Sequence, residues 1–232
     1  MLSGERKYRK FSYRDSNFRI HSDHFDLLTE EIIRQRDLLE EYIVLHPEFR
    51  SSLVPIGLLK GAPAIAECMA AAASQTGVGP MAAVAGAIAQ RACEVAIEAG
   101  DNDCIVENGG DIYAASCKPL QIALYAGANS KFNELALSFS ATDLPLAICS
   151  SSSKMGRSLS FGACDLATVL AKDAALADAA ATLCSNLVRS AEDLPIVSEK
   201  IVQIPGIIGV LAVFKDKIAL AGKLPKLVKI RD

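Results

Sequence analysis

From Cys68 to Gln90 the chain carries no charged side chain, alanine dominates, and "SQTGVGP" (74–80) breaks the run in its middle. A stretch of this length either crosses a bilayer, which takes about 20 apolar residues, or doubles back as two helices buried in protein. Ser74, Gln75, Thr76, Gly77, Gly79 and Pro80 stand where a bilayer centre would be, and alanine gains little on entering lipid. The expected outcome is a buried helix pair over 62–99, whose small side chains approach a sheet closely. Such a pair needs a large core to bury it, and 232 residues that are 51% hydrophobic supply one.

The rest of the chain reads around that pair. Residues 6–21 alternate loosely about Arg14-Asp15-Ser16-Asn17, which predicts an opening hairpin. Ser22 is placed to cap a helix in which Phe25, Leu28, Ile32, Leu39 and Ile43 recur near helical spacing, with "HP" at 46–47 ending it. Residues 6–60 are candidates for a subdomain. After the alanine helices, strands are predicted at 103–107, 111–115, 120–126 and 145–150, between turn signals. A strand over 166–171 then runs into a helix over 173–188. The closing "GIIGVLAVFKDKIALAG" predicts a hairpin turning at 215–217.

Net charge is −3 and the lysines and arginines are scattered, so the basic footprint of a nucleic-acid binder is missing. The polar, basic N-terminus lacks the apolar core of a secretory signal, which leads us to expect a cytoplasmic protein. Seven cysteines, widely spaced and mostly in apolar contexts, read as small buried hydrophobes rather than as disulfides or zinc ligands. His21 and His24 sit at a polar strand-to-helix junction without metal-ligand spacing and are expected in surface or capping roles. The sequence leaves a homo-oligomer open.

Three segments are suited to chemistry. In "TGVGPMAAVAG" (76–86), Gly79 permits close backbone approach and Pro80 suits a first helical position, so a helix start with free N–H groups forms an anion seat. The alternative is a plain loop between packed helices. In "IVENGGDIY" (105–113), Asn108, Gly109, Gly110 and Asp111 put an amide, exposed backbone and a carboxylate at the end of an apolar strand; the alternative is a chain reversal and nothing more. In "LADAAATL" (176–183), Asp178 and Thr182 project from one helix face and together suit a hard cation such as Mg²⁺. There the alternative is solvation, or a mutual hydrogen bond.

In this order the segments resemble the ApbE family of FAD:protein FMN transferases, once linked to thiamine biosynthesis. "GPMAAVAGAIA" (79–89) is similar to that family's glycine-containing helix start, "VENGGDI" (106–112) to its "VNxGGDI", and "TVLAKDAALADAAAT" (168–182) to its closing strand and helix. A branch of ApbE-like proteins is more similar still, sharing "VGPMAAVAGAIA", "VENGGDIY" and "SLSFGACD". The resemblance implies one α/β domain of the α+β type over 1–232, with mixed or antiparallel sheets against Ala-rich helices. It also implies a small anionic or nucleotide ligand such as FAD, with no membrane partner, and Mg²⁺ beside the diphosphate. Asp178 and Thr182 would hold the metal, while Gly79, Pro80, Asn108, Gly109, Gly110 and Asp111 would line the cleft.

One departure matters. Where the transferases carry a histidine block resembling "HxxDPxTG", this chain has "SKMGRSLSFGACD" (153–165), and no histidine follows His46. The resemblance thus leads to a binding protein that keeps the cleft without standard FMN transfer, with an active Mg²⁺-dependent transferase or an accessory protein of cofactor or sulfur metabolism as alternatives. Gly156, Arg157, Ser158 and Ser160 are further candidates for an anion, since an Arg fork matches phosphate oxygens.

Overall fold

The computed structural model of the chain describes residues 6–153 and 162–230. It opens with the expected hairpin, β1 (Arg9–Tyr13) and β2 (Ser16–His21), followed by α1 (Phe25–Leu45). Leu28, Ile32, Leu39 and Ile43 of α1 are buried, as their spacing foretold. Ser22 does not cap the helix directly. It stands before the first turn, where its hydroxyl donates to Asp101 at 2.6 Å and accepts the His24 N–H at 2.9 Å.

A single turn, α2 (Glu48–Ser51), leads to the alanine pair α3 (Ala64–Thr76) and α4 (Val84–Glu98). Gly77, at φ 80°, ends α3 in the left-handed region and returns its N–H to Ala73 at 2.7 Å. The α-helical ladder does not begin at Pro80, because Pro80–Ala83 form one 3₁₀ turn first. Among the described residues, no helix is long and apolar enough to cross a membrane.

Among the described residues, nine strands and two α-helices follow: β3 (Asp103–Asn108), β4 (Asp111–Ser116), β5 (Leu120–Ala123), β6 (Leu135–Phe139), β7 (Leu146–Ser151), β8 (Leu166–Ala171), α5 (Ala174–Leu187), α6 (Asp193–Val202), β9 (Ile207–Phe214), β10 (Lys217–Gly222) and β11 (Lys226–Lys229). Eight strands form one sheet in the order β1-β2-β3-β4-β7-β8-β9-β10, and three form another in the order β11-β6-β5. Every neighbouring pair is antiparallel.

Strand alternation explains the layering. In β8, Ala167, Val169 and Ala171 join the core beneath the helices, whereas Leu166 and Leu170 join the core shared with the small sheet. The large sheet is therefore covered by helices on one face and by three strands on the other. Small residues dominate under α5, which is buried along most of its length, and larger ones such as Phe139, Leu137 and Ile148 fill the inter-sheet space. Each of those large side chains contributes about 1.5–3 kcal/mol when fully buried.

At the start of β3, Asp103 gathers Arg6 (3.0 Å), Lys118 (2.9 Å), Ser116 (2.6 Å) and His21 (3.4 Å). His21 is thereby engaged in holding two strands together. Burial alone would raise the Asp103 carboxyl, but Ser116, Lys118 and Arg6 bring it down to about 2. A depressed folded pKa gives stability that is present above the unfolded carboxylate range and lost as pH falls through about 2. Urea unfolding across that acid range should therefore show wild type losing stability relative to Asp103→Asn; parallel pH profiles would refute this account.

Candidate functional site

β3 and β4 are joined by a two-residue turn in which Asn108 pairs with Asp111, and Gly109 (φ 66°) and Gly110 (φ 111°) both take positive φ. The hairpin itself demands the two glycines, since two-residue turns of this kind need positive φ at both central positions. What makes the turn a site is its surroundings. Strand alternation sends Asn108 and Asp111 towards the helices, and Glu107 and Ile112 towards the small sheet.

On the helix side three distant segments meet. Asp178 of α5 accepts the Gly86 N–H of α4 at 3.0 Å, and the Ala85 N–H also bonds it. Asn108 donates its side-chain N–H to the Ala85 carbonyl at 3.3 Å. Asp111 accepts the Ser150 N–H of β7 at 3.2 Å and a hydrogen bond from the Cys149 thiol. The start of α4 is thus capped in part by a carboxylate of this same chain, so the expectation of wholly free helix-start amides is corrected. Asp178 is bonded to backbone rather than to Thr182, which lies one turn on and is also buried.

Two glycines near this meeting point serve packing. A Cβ on Gly86 would lie 2.2 Å from the Ala174 carbonyl oxygen and 3.0 Å from the Asp178 Cβ, so only glycine lets α4 and α5 come this close. At Gly79 a Cβ would lie 1.9 Å from the Ser52 carbonyl oxygen. The close approach expected of Gly79 is therefore made to the chain's own backbone, and Pro80 is buried in the 3₁₀ turn beside it.

The electrostatics are unusual for a helix and sheet this apolar. Asp111 and Asp178 are only 7% and 8% exposed. Burial pushes the Asp111 carboxyl up to about 7, against the hydrogen bonds from Ser150 and Cys149. Burial, and then the neighbouring Asp111 carboxylate, push Asp178 well above the usual carboxylate range despite the Gly86 and Ala85 amides. Among the described residues no lysine or arginine pairs with either acid. Ser151, on the same strand face as Cys149, has a buried hydroxyl without a hydrogen-bond partner.

This donor set fits a hard divalent cation. No group of three or more His, Cys, Asp or Glu suited to a metal stands among the described residues. Mg²⁺, however, needs only one or two protein carboxylates when water and phosphate complete its shell. A cation here would also relieve the repulsion between the two acids.

On the other face of the sheet, a cavity of about 350 Å³ lies between the two sheets and reaches Gly109, Gly110 and Ser150. Sequence reasoning missed most of it, including Glu107, Tyr125 and Thr168. The serine run at the end of β7 was the available signal. Gly156, Arg157, Ser158 and Ser160 lie outside the described residues.

Helices on one face of an antiparallel sheet, a smaller sheet on the other, and acids converging at the glycine turn define an ApbE-type α+β fold, as the motifs implied. The apo flavinyl transferase ApbE of Pseudomonas stutzeri superposes with a TM-score of 0.61 at 12% identity, covering 96% of this chain and 95% of that one. The ApbE protein of Thermotoga maritima gives a TM-score of 0.60 at 12% identity, covering 92% and 96%. At sequence level, a family model described as "AbpE bacteria" matches residues 3–204, and the chain belongs to that family. It is 41% identical over 210 residues to a UPF0280 protein of Methanothrix thermoacetophila, covering 90% of this chain and 88% of the relative. It is 38% identical over 211 residues to a UPF0280 protein of Methanocaldococcus jannaschii, covering 89% and 85%.

Proposed function

We propose that this protein binds a flavin nucleotide, or a nucleotide of the same build, through its phosphates and a divalent cation at the Asp111–Asp178 end of the glycine turn, and holds it without standard FMN transfer to protein. The observation that carries the reading is the convergence of α4, the β3–β4 turn and α5 on two buried acids that lack a cationic partner among the described residues. Asp178 and Thr182 would hold the cation, with Asp111 beside them. Mg²⁺, when bound, would supply positive charge for the diphosphate.

The chain's own residues set the rest. The Gly86 and Ala85 amides fix the Asp178 carboxylate in place, and Ser150 fixes Asp111. Backbone at Gly109 and Gly110 is open to a ligand, because no Cβ stands over it. The absence of transfer is motivated by the histidines. All three lie in the first 46 residues, and two of them are engaged structurally, His21 with Lys7 and Asp103 and His46 with Tyr42. No imidazole is left in the closing half to act as a proton acceptor.

Desalted protein incubated with FAD and MgCl₂ is expected to retain intact FAD, lose it in EDTA, and release no AMP. Native mass spectrometry and nucleotide chromatography read both outcomes. AMP formation or a covalent FMN adduct would establish the transferase alternative, and failure to retain FAD or a related nucleotide would remove the reading altogether.

A further inference from the structure

Ser150 belongs to two environments at once. Its N–H holds Asp111 on the helix side at 3.2 Å, while its hydroxyl pairs with that of Thr168 at 2.9 Å on the side of the small sheet. That second side is the inter-sheet cavity, so the acids and the cavity are separated by one strand and joined at its end by the Gly109–Gly110 turn.

The cavity has a definite chemistry. Its walls are apolar, with Ile112 and Leu166 from the large sheet facing Ile122 and Leu137 from the small one. About 350 Å³ is at the lower end for a small-molecule site, enough for a ring system but not for a whole dinucleotide. Among the described residues no lysine or arginine lines it, and the charged side chain there is Glu107, which disfavours phosphate. Arg19 of β2, directly opposite Glu107 in the register and on the same face of the sheet, pairs with one of its carboxylate oxygens at 3.3 Å. Tyr125 also lines the cavity and is 58% exposed, an aromatic side chain largely open to solvent. A slot between two sheets that combines apolar walls with Glu107 and the Ser150 and Thr168 hydroxyls matches a flat ring whose rim carries hydrogen-bonding groups.

We propose that this cavity seats the planar, uncharged heterocycle of the ligand whose phosphates meet the acids, with Glu107 accepting a ring N–H, the Ser150–Thr168 hydroxyls meeting a ring acceptor, and Tyr125 covering one face. Glu107 and Tyr125 are then the residues that set ring specificity. The inference rests on the nucleotide reading above and extends it to the part of the ligand that bears no phosphate.

The test separates the two. Riboflavin and guanosine, both free of phosphate and both carrying a ring N–H, are titrated in EDTA into the wild-type chain and into Glu107→Ala, Glu107→Gln and Tyr125→Ala, with FAD plus MgCl₂ titrated alongside and adenosine, which has no ring N–H, as the control expected to bind less. One of the two ring compounds is expected to bind without the cation, and which one binds identifies the heterocycle as flavin or nucleobase. Loss of a hydrogen bond to a charged group should weaken it about tenfold or more in Glu107→Ala. Glu107→Gln, which keeps an acceptor oxygen, should recover part of that loss, and Tyr125→Ala should weaken binding about threefold or more. Methylating the ring N–H should weaken binding to wild type and leave Glu107→Ala unchanged. Both side chains are partly exposed, so neither substitution threatens the core. If FAD with MgCl₂ binds but neither ring compound does, or if the ring compound that binds wild type binds Glu107→Ala equally well, the ring assignment is wrong and the cation site stands. If FAD is not retained by the wild type either, both fall together.

Discussion

Asp178→Asn is expected to make the metal-free protein more stable at neutral pH and, in the same step, to abolish its thermal response to MgCl₂. The acid is buried in an apolar helix, pushed up first by burial and then by Asp111. An acid with a raised folded pKa keeps a proton that the unfolded chain has already released. Stability therefore falls as pH climbs above the unfolded carboxylate range. Asparagine still offers an oxygen to the Gly86 N–H, held at 3.0 Å in the wild type, but it has no charge to desolvate. The gain should be on the order of 1 to 3 kcal/mol. Thermal melts in EDTA from acid to mildly alkaline pH should show wild type declining and the variant declining less. Adding MgCl₂ should raise wild type alone, because only a ligand selective for the folded state stabilises it. A variant that melts lower in EDTA, or that still gains from MgCl₂, contradicts the assignment of Asp178 as the cation-holding acid.

Gly86→Ala is expected to be the most damaging single methyl in the chain's alanine helices. In an exposed helix this exchange normally stabilises by about 1 kcal/mol. Here the new carbon would stand 2.2 Å from the Ala174 carbonyl oxygen and 3.0 Å from the Asp178 Cβ, so α4 and α5 must separate. A carbonyl within a packed helix cannot rotate away, and we expect a loss of about 3 kcal/mol or more. Gly57→Ala, where nothing lies within 4 Å, serves as the control. Urea midpoints decide it: equal midpoints for the two variants would mean that the helices are not locked as described. Because the Gly86 amide holds Asp178, the same variant should also lose its FAD retention.

Much of this architecture was legible in the sequence, for reasons that can be named. The period of α1 announced its buried face, and the uncharged run from Cys68 to Gln90 announced a helix pair with little room around it. β6, β11 and α6 were not anticipated. β11 is four residues long, with lysine at each end and Leu227 exposed, so it carries no apolar alternation to read. α6 has Pro195 inside its first turn, where a proline suits a helix start but reads as a breaker. The acids of the site were found because Asp178 and Asp111 interrupt apolar runs. Gly86 and Ser150 were missed as partners, since nothing local reveals a contact between positions 92 or 39 residues apart.

That long separation has a consequence for synthesis. Ala85 and Gly86 are made before Asp178, so the helix start must wait for a further 92 residues of chain before it meets its acid. A product truncated ahead of α5 would carry the glycine turn and both alanine helices, yet lack the acid that the proposed function assigns to the cation. On the proposed reading, ligand retention would then double as a readout of whether α4 and α5 have come together.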